Sequence, residues 1–252
     1  MKIVVIGGTG LIGARVVDRL TRAGHDALAA SRRTGVNSYT AEGLADALDG
    51  ADVLVDASNS SYVDLAGARE FFYVSTLNLL TYAAAAGVKH HVALSVVGTD
   101  RLARTEGGYF DGKDAQETLI RDSSHPYSIV HSTQFYEYLA DIADQATQGD
   151  VVRLAHALVQ PIAADDVADA VAEVAAGEPL QGTVEVAGPE QFRLEDVVRQ
   201  HFRVRDDPRQ VTADALGRYL GVALEERELL PGEDARMART RFDDWLARRP
   251  RA

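Results

Sequence analysis

The sequence contains no cysteine. That absence removes disulfide staples, thiolate nucleophiles, zinc fingers and iron–sulfur ligation together, and it agrees with a reducing, cytoplasmic setting. Lysine is almost as scarce, with Lys2, Lys89 and Lys113 standing against 23 arginines. No stretch approaches the roughly 18 uninterrupted apolar residues of a membrane span, so no membrane association is expected. Positive charge is in deficit, 26 basic against 38 acidic residues for a net charge of −12. A surface of that sign repels phosphate backbones and argues against a nucleic-acid partner. No histidine falls in a ligand cluster with neighbouring carboxylates, so no metal is expected. At the start, glycines interrupt the short apolar run where a secretory signal would continue apolar, so it is read as a folded strand and turn.

What remains is a globular mixture, 46% hydrophobic and 25% charged over 252 residues. That length suits one large α/β domain, or one with a small appended lobe. Strand and helix periodicities alternate along it. Strands are expected at Lys2–Ile6, Asp26–Ser31, Val53–Ala57, His91–Val97, Tyr127–His131 and Thr183–Ala187. Helices are expected at Leu11–Ala23, Ala41–Leu48, Arg69–Ala86, Lys113–Arg121, Asp165–Ala176 and Leu194–Phe202. Alternation with short connections implies a doubly wound, mostly parallel sheet covered on both faces. Residues 1–205 are read as this domain, with 132–160 forming a substrate mouth. Residues 203–252 mix 11 basic and 10 acidic side chains, the pattern of solvated helices, and 206–252 is read as a small helical lobe that does not fold alone.

The strongest local signal is Gly7-Gly8-Thr9-Gly10-Leu11-Ile12-Gly13. It follows a strand and opens an amphipathic helix, which is the context a dinucleotide-binding glycine loop requires. Glycines allow a tight turn and close backbone approach to a pyrophosphate, and the helix start offers unpaired N–H groups. Gly7, Thr9, Gly10, Leu11 and Ile12 are therefore candidate cofactor contacts. The second strand ends in Ser31-Arg32-Arg33, with no carboxylate where a ribose 2′-hydroxyl would be bound. A hydroxyl followed by two guanidinium forks suits a 2′-phosphate, so NADP(H) is expected over NAD(H). Ala57, Ser58 and Asn59 leave the next strand beside the switch point and complete the candidate cofactor set.

Five segments, VVIGGTGLIG (4–13), ASRR (30–33), VALSVVGTDR (92–101), GYFDGKDAQETLI (108–120) and YSIVHSTQFYEYL (127–139), together resemble the atypical short-chain dehydrogenase/reductase superfamily in its NmrA-like branch. The resemblance covers about residues 1–205 and implies a Rossmann fold with a nicotinamide cofactor. It also implies a Ser95/Tyr109/Lys113 set, in which lysine holds the cofactor ribose and lowers the phenol pKa, tyrosine gives a proton, and serine orients the substrate oxygen. Tyr109 and Lys113 stand at i and i+4, the spacing that brings two side chains to one helix face. Gly108 and Gly112 predict a helix that starts only near residue 111. The related pattern often has arginine where His131 stands.

Thr133, Gln134 and Phe135 leave the fifth strand on the same side of the sheet and are candidate substrate contacts. The expected activity is NADPH-dependent reduction of a small carbonyl, quinone or enone. Two alternatives stay open, a redox sensor that binds the cofactor without turnover and a nucleotide-sugar epimerase or dehydratase. The expected partner is a small-molecule substrate, and a homodimer is expected by analogy alone.

Overall fold

A computed structural model of the protein describes residues 1–60, 65–103 and 108–248. Its first unit sets the pattern. β1 (Lys2–Ile6) is buried from Ile3 onward, α1 (Leu11–Arg22) buries Ile12, Val16 and Leu20 along one side, and β2 (Asp26–Ala30) returns parallel to β1. A strand covered on both faces has to be apolar at successive positions, which explains KIVVI. The alternation continues through α2 (Leu44–Leu48), β3 (Val53–Asp56), α3 (Leu65–Ala86), β4 (His90–Val96), α4 (Thr99–Leu102), α5 (Tyr109–Asp122) and β5 (Tyr127–Ser132). Next come α6 (Leu139–Gln145), β6 (Thr147–Gln148), β7 (Val151–Ala155), β8 (Leu158–Val159), α7 (Ala164–Ala176), β9 (Gly182–Ala187), β10 (Phe192–Arg193) and α8 (Leu194–Arg205). The chain then runs through β11 (Gln210–Asp214), β12 (Arg218–Tyr219), β13 (Val222–Ala223), β14 (Arg236–Met237) and α9 (Phe242–Ala247).

The central sheet has seven strands in the order β14-β9-β5-β4-β3-β1-β2, and each of its pairings is parallel. Alternate residues of one strand serve opposite layers. Ile3 and Val5 join Val16, Leu20, Val167 and Val171 under α1 and α7, whereas Val4 and Ile6 join Leu44, Leu48 and Leu79 under α2 and α3. The order reverses at β1, from which the chain goes outward to β2 and then crosses to β3. That switch point opens a crevice at the carboxyl ends of β1 and β3, where open α/β sheets bind ligands. Lys2 and Lys89 lie at the opposite end of the sheet, on the carbonyl of Asp49 and the carboxylate of Asp52.

Two expectations are revised. α5 begins at Tyr109, with Gly108 as its N-cap, so Tyr109 and Lys113 do share one helix. Gly112 does not break α5. A Cβ there would lie 2.8 Å from the Phe72 ring and 2.9 Å from the Ala68 backbone, so the glycine permits close packing of α5 on α3.

The C-terminal segment is also not a helical lobe. β11 pairs with β7, β14 extends the main sheet beside β9, and β12 and β13 form a hairpin, leaving α9 as its helix among the described residues. Residues 249–252 of the expected lobe lie outside the described residues. Tyr219, Val222, Phe242 and Trp245 share one core with Phe72, Tyr136 and Val152, so no structural boundary falls near residue 205. Tertiary pairing recruited these short strands over their mixed-charge composition.

Candidate functional site

The crevice at the switch point is a cleft of about 900 Å³. Its first wall is the glycine loop. Gly7 has φ +72°, and a Cβ on it would lie 2.7 Å from Ala57 O, so the loop is pressed against the exit of β3. A Cβ on Gly8 would meet Val5 O at 2.6 Å, and one on Gly13 would meet Gly7 O at 2.2 Å. Gly10 differs. It is exposed, and its Cβ would approach only Gly7 O, at 3.2 Å. Three glycines thus pack strand, turn and helix together, and Gly10 keeps the start of α1 open to the cleft. No side chain caps that start.

Beside the loop, Ser31, Arg32 and Arg33 line the cleft. Thr9 Oγ1 donates to Ser31 Oγ at 2.9 Å, while Arg33 reaches across the loop to Thr9 O at 2.7 Å and Thr9 Oγ1 at 3.2 Å. Ser31 and Thr34 form a capping box that fixes this turn. Both arginines remain exposed. Asp26, the nearest acid on β2, stands at the far end of that strand.

Ala57, Ser58 and Asn59 form the next wall, and Asp56 beneath them explains their shape. Its carboxylate accepts from Ser58 N at 2.9 Å, Ser58 Oγ at 2.6 Å and Gln116 Nε2 at 2.8 Å. Burial pushes Asp56 above the usual carboxylate range, against the pull of these bonds and of Lys113. Asn59 Oδ1 in turn accepts from the Tyr109 hydroxyl at 3.1 Å.

Lys113 also lines the cleft but is 2% exposed. Its ammonium donates to Leu94 O at 2.8 Å and to Gln116 Oε1, and lies 4.5 Å from the centre of the Phe72 ring. Burial pushes its pKa down to about 8, although Asp56 and Glu117 act in the other direction. Ser95 lines the same wall, and its hydroxyl donates to Glu117 Oε1. That bond commits the serine proton to a carboxylate and leaves its lone pairs for the cleft.

The sequence does not single out Glu117, but α5 places it over a polar row. Ser95, His131 and Glu185 are register neighbours across β4, β5 and β9. His131 Nε2 meets Glu117 Oε1 at 2.8 Å, and its Nδ1 stands 3.8 Å from Glu185. Arg121 holds the other Glu117 oxygen. Burial opposes charge on His131, but the two carboxylates outweigh it and raise its pKa; Glu117 falls below the ordinary range despite burial, for the reciprocal reason. His131 thus stands between two carboxylates, Glu117 and Glu185.

Thr133, Gln134 and Phe135 line the outer part of the cleft. Tyr138, Asp141, Ile142 and Gln145, inside the expected 132–160 mouth but not singled out there, line it at i, i+3, i+4 and i+7, a helical stripe. Two further contributors escaped the sequence reading. Tyr219 and Leu220 arrive from the β12–β13 hairpin, which carries no sequence signal. Leu220 has φ +47° in the turn, a region that costs a branched side chain about 1 kcal/mol and usually selects glycine or asparagine. Asn37, Ser38 and Tyr39 close the end beside Arg33.

Glycine loop, switch-point cleft and parallel sheet define an α/β protein of the Rossmann type. Residues 1–189 match the model of the NmrA-like family, and the chain belongs to that family. It is 25% identical over 153 residues to the photosystem II assembly factor Ycf39 of Synechocystis sp., an alignment covering 55% of this chain and 46% of that protein, less than half its length. Among solved structures it is similar to MoeE5 in complex with UDP-glucose and NAD (TM-score 0.74, 16% identity, 98% of this chain and 96% of that one). It is also similar to the NADPH-dependent quinone oxidoreductase QOR2 of Escherichia coli, complexed with NADPH (TM-score 0.63, 22% identity, 85% and 78% of the two chains). At these identities the likeness establishes the fold. No helix among the described residues is long and apolar enough to cross a membrane.

Proposed function

We propose that this protein is an NADPH-dependent reductase of a small, uncharged carbonyl compound, a quinone or enone included. The observation that carries the reading is the arrangement of one cleft. Its inner wall combines a glycine loop with Ser31, Arg32 and Arg33, and its middle combines Tyr109, Lys113 and Ser95. The residues fit a nicotinamide dinucleotide. The Gly10 side of the loop is open to a diphosphate, Arg32 and Arg33 offer cations beside it, and Asn59 and Lys113 flank the route toward Ser95. When bound, the nicotinamide supplies a hydride. The chain's own part is to supply a proton from the Tyr109 hydroxyl, to keep an ammonium one helical turn away on Lys113, and to exclude water with Phe135, Tyr138, Tyr219 and Leu220. Among the described residues, the cations lining the cleft are Arg32, Arg33 and Lys113, while its outer arm carries Asp141. That distribution favours an uncharged substrate over a nucleotide sugar, whose diphosphate would meet no cation among the described residues there.

Calorimetric titration with NADPH and NADH tests the cofactor assignment. NADPH is expected to bind at least about tenfold more tightly, a difference of about 1.4 kcal/mol. The Arg32→Ala/Arg33→Ala double variant should bring the two to parity, and equal affinities in the unaltered protein would remove the 2′-phosphate role.

A second reading, a cofactor-binding sensor without turnover, is favoured by the internal engagement of the candidate catalytic groups. Ser95 donates to Glu117, Lys113 to Leu94 O and Gln116, and Tyr109 to Asn59. Following NADPH oxidation against a panel of quinones, enones and ketones separates the two. Turnover that Tyr109→Phe and Lys113→Met each reduce about a hundredfold, the scale of general-acid catalysis, supports the reductase. Silence across the panel with tight NADPH binding supports the sensor.

A further inference from the structure

Tyr109, Lys113 and Gln116 stand at i, i+4 and i+7 of α5 and share one face of it. Behind the cleft, that face meets the end of β3. Gln116 and Asp56 are each 1% exposed, and the Gln116 amide joins Asp56 to Lys113. Its Oε1 accepts from the Lys113 ammonium, and its Nε2 donates to Asp56 Oδ2 at 2.8 Å. Only this orientation of the amide serves both neighbours, because an ammonium can only donate and an ionised carboxylate only accept. Each buried charge is therefore bonded to the amide and not to the other charge.

Opposite charges in a poorly polarisable interior attract strongly, and the attraction rises as they approach. Left to themselves, Lys113 and Asp56 would close to direct contact, which would turn the ammonium toward β3 and away from the cleft. The amide meets both charges and keeps its own width between them. An ammonium has three N–H groups. Leu94 O and Gln116 Oε1 take two of them, leaving one for the cleft that Lys113 lines. The other groups facing the ammonium are Glu117 on α5 and the Phe72 ring on α3, whose centre is 4.5 Å away. Gln116 also ties α5 to the wall that holds the phenol. Asp56 fixes Ser58, and the next residue, Asn59, accepts from the Tyr109 hydroxyl. Tyr109 and Lys113 are thus braced against the same β3 exit.

We propose that Gln116 is a positioning residue, an amide spacer that holds the Lys113 ammonium apart from Asp56 and available to the cleft. Its bearing on turnover rests on the reductase reading above, whereas the spacing itself does not.

The test exploits the scarcity of lysine. Full-length protein carrying 13C at lysine Cε gives one NMR signal each for Lys2, Lys89 and Lys113, and Lys113→Met identifies the last. In the unaltered protein, burial sets the Lys113 titration at about 8. Gln116→Ala removes the spacer and leaves room, so the two charges should meet and the titration should climb toward the ordinary 10.5. Adding Asp56→Asn should cancel that rise. Gln116→Met fills the gap without bonding either charge, so Lys113 should titrate below its value in the unaltered protein. The methionine variant decides the matter alone if the alanine variant does not fold. A titration unmoved in either variant, a fall with alanine or a rise with methionine would overturn the proposal. In NADPH-driven reduction of a carbonyl, both variants should lose about tenfold or more in kcat with KM within about threefold. Full kcat in both would overturn the positioning role. Absence of turnover in the unaltered protein would instead reject the reductase reading, and the lysine titration would still decide whether Gln116 keeps the charges apart.

Discussion

Replacing Gly13 with alanine is expected to destabilise the protein by about 3 kcal/mol, roughly a 10 °C fall in Tm for a chain of this size. The added methyl would sit 2.2 Å from Gly7 O, 2.7 Å from Gly7 C and 2.8 Å from Gly8 Cα. All three are backbone atoms of a turn already pressed against Ala57 and Ala29. No rotamer change can relieve the clash, so α1 has to move off β1, and the cluster of Ile12, Val16 and Leu20 with Ile3 and Val5 opens with it. Gly10→Ala is the informative contrast. Gly10 has φ −85°, which alanine adopts freely, and its methyl would point where only Gly7 O lies near, at 3.2 Å. Its Tm should stay within about 3 °C of the parent, while dinucleotide affinity falls at least about tenfold because the methyl occupies the open start of α1. Thermal melts and nucleotide titrations of the two variants check the separation. Equal behaviour would mean that the loop does not divide its glycines between packing and binding.

Mild acid should also destabilise the protein, at a pH where most carboxylates are still ionised. His91 is 0% exposed with neither ring nitrogen hydrogen-bonded, and burial, with smaller contributions from His125 and His90, pushes its pKa down to about 3. His90, bonded through Nε2 to Ser128 Oγ at 2.8 Å, is pushed down to about 4, mainly by burial. In the unfolded chain both titrate near 6.5. The folded state therefore keeps both neutral while the unfolded state takes up protons. The associated stability is complete above pH 6.5 and is lost as the pH falls toward 4 and then 3. Each imidazole contributes about 1.4 kcal/mol per pH unit in that window, so the two together should cost about 4 kcal/mol at pH 5, a loss that His131 opposes because its raised pKa favours the folded state as the pH falls. Glu117 and Glu185, held low by His131, add to the loss only below about pH 4.5. Urea midpoints at pH 7.5 and pH 5 measure the effect. His91→Leu should remove about half of the difference, and a midpoint that does not move between the two pH values would show that these histidines are not neutral in the folded protein.

Much of this was legible in the sequence because it was local. The KIVVI run, the glycine spacing and the apolar period of 11–20 belong to contiguous residues, so strand, turn and helix could be placed without knowledge of what they pack against. The candidate residues drawn from those motifs, from Gly7 to Phe135, line one cleft. Illegible features depend on partners distant in the chain. Gly112 reads as a helix breaker until Phe72 and Ala68 are seen against it. β11 reads as part of a helical lobe until β7, some sixty residues earlier, supplies its hydrogen bonds. Glu117 looks like an ordinary surface acid on a polar helix, and only the alignment of β4, β5 and β9 puts Ser95 and His131 beneath it.

The scarcity and position of lysine have a practical consequence. Lys113 is sealed under the cleft, whereas Lys2 and Lys89 lie at the amino-terminal rim of the sheet, on Asp49 and Asp52. Amine-reactive dyes or resins would therefore grip the protein by the rim opposite its cleft. Molecules tethered to a sensor chip in this way would share one orientation, with the mouth of the cleft facing the flow.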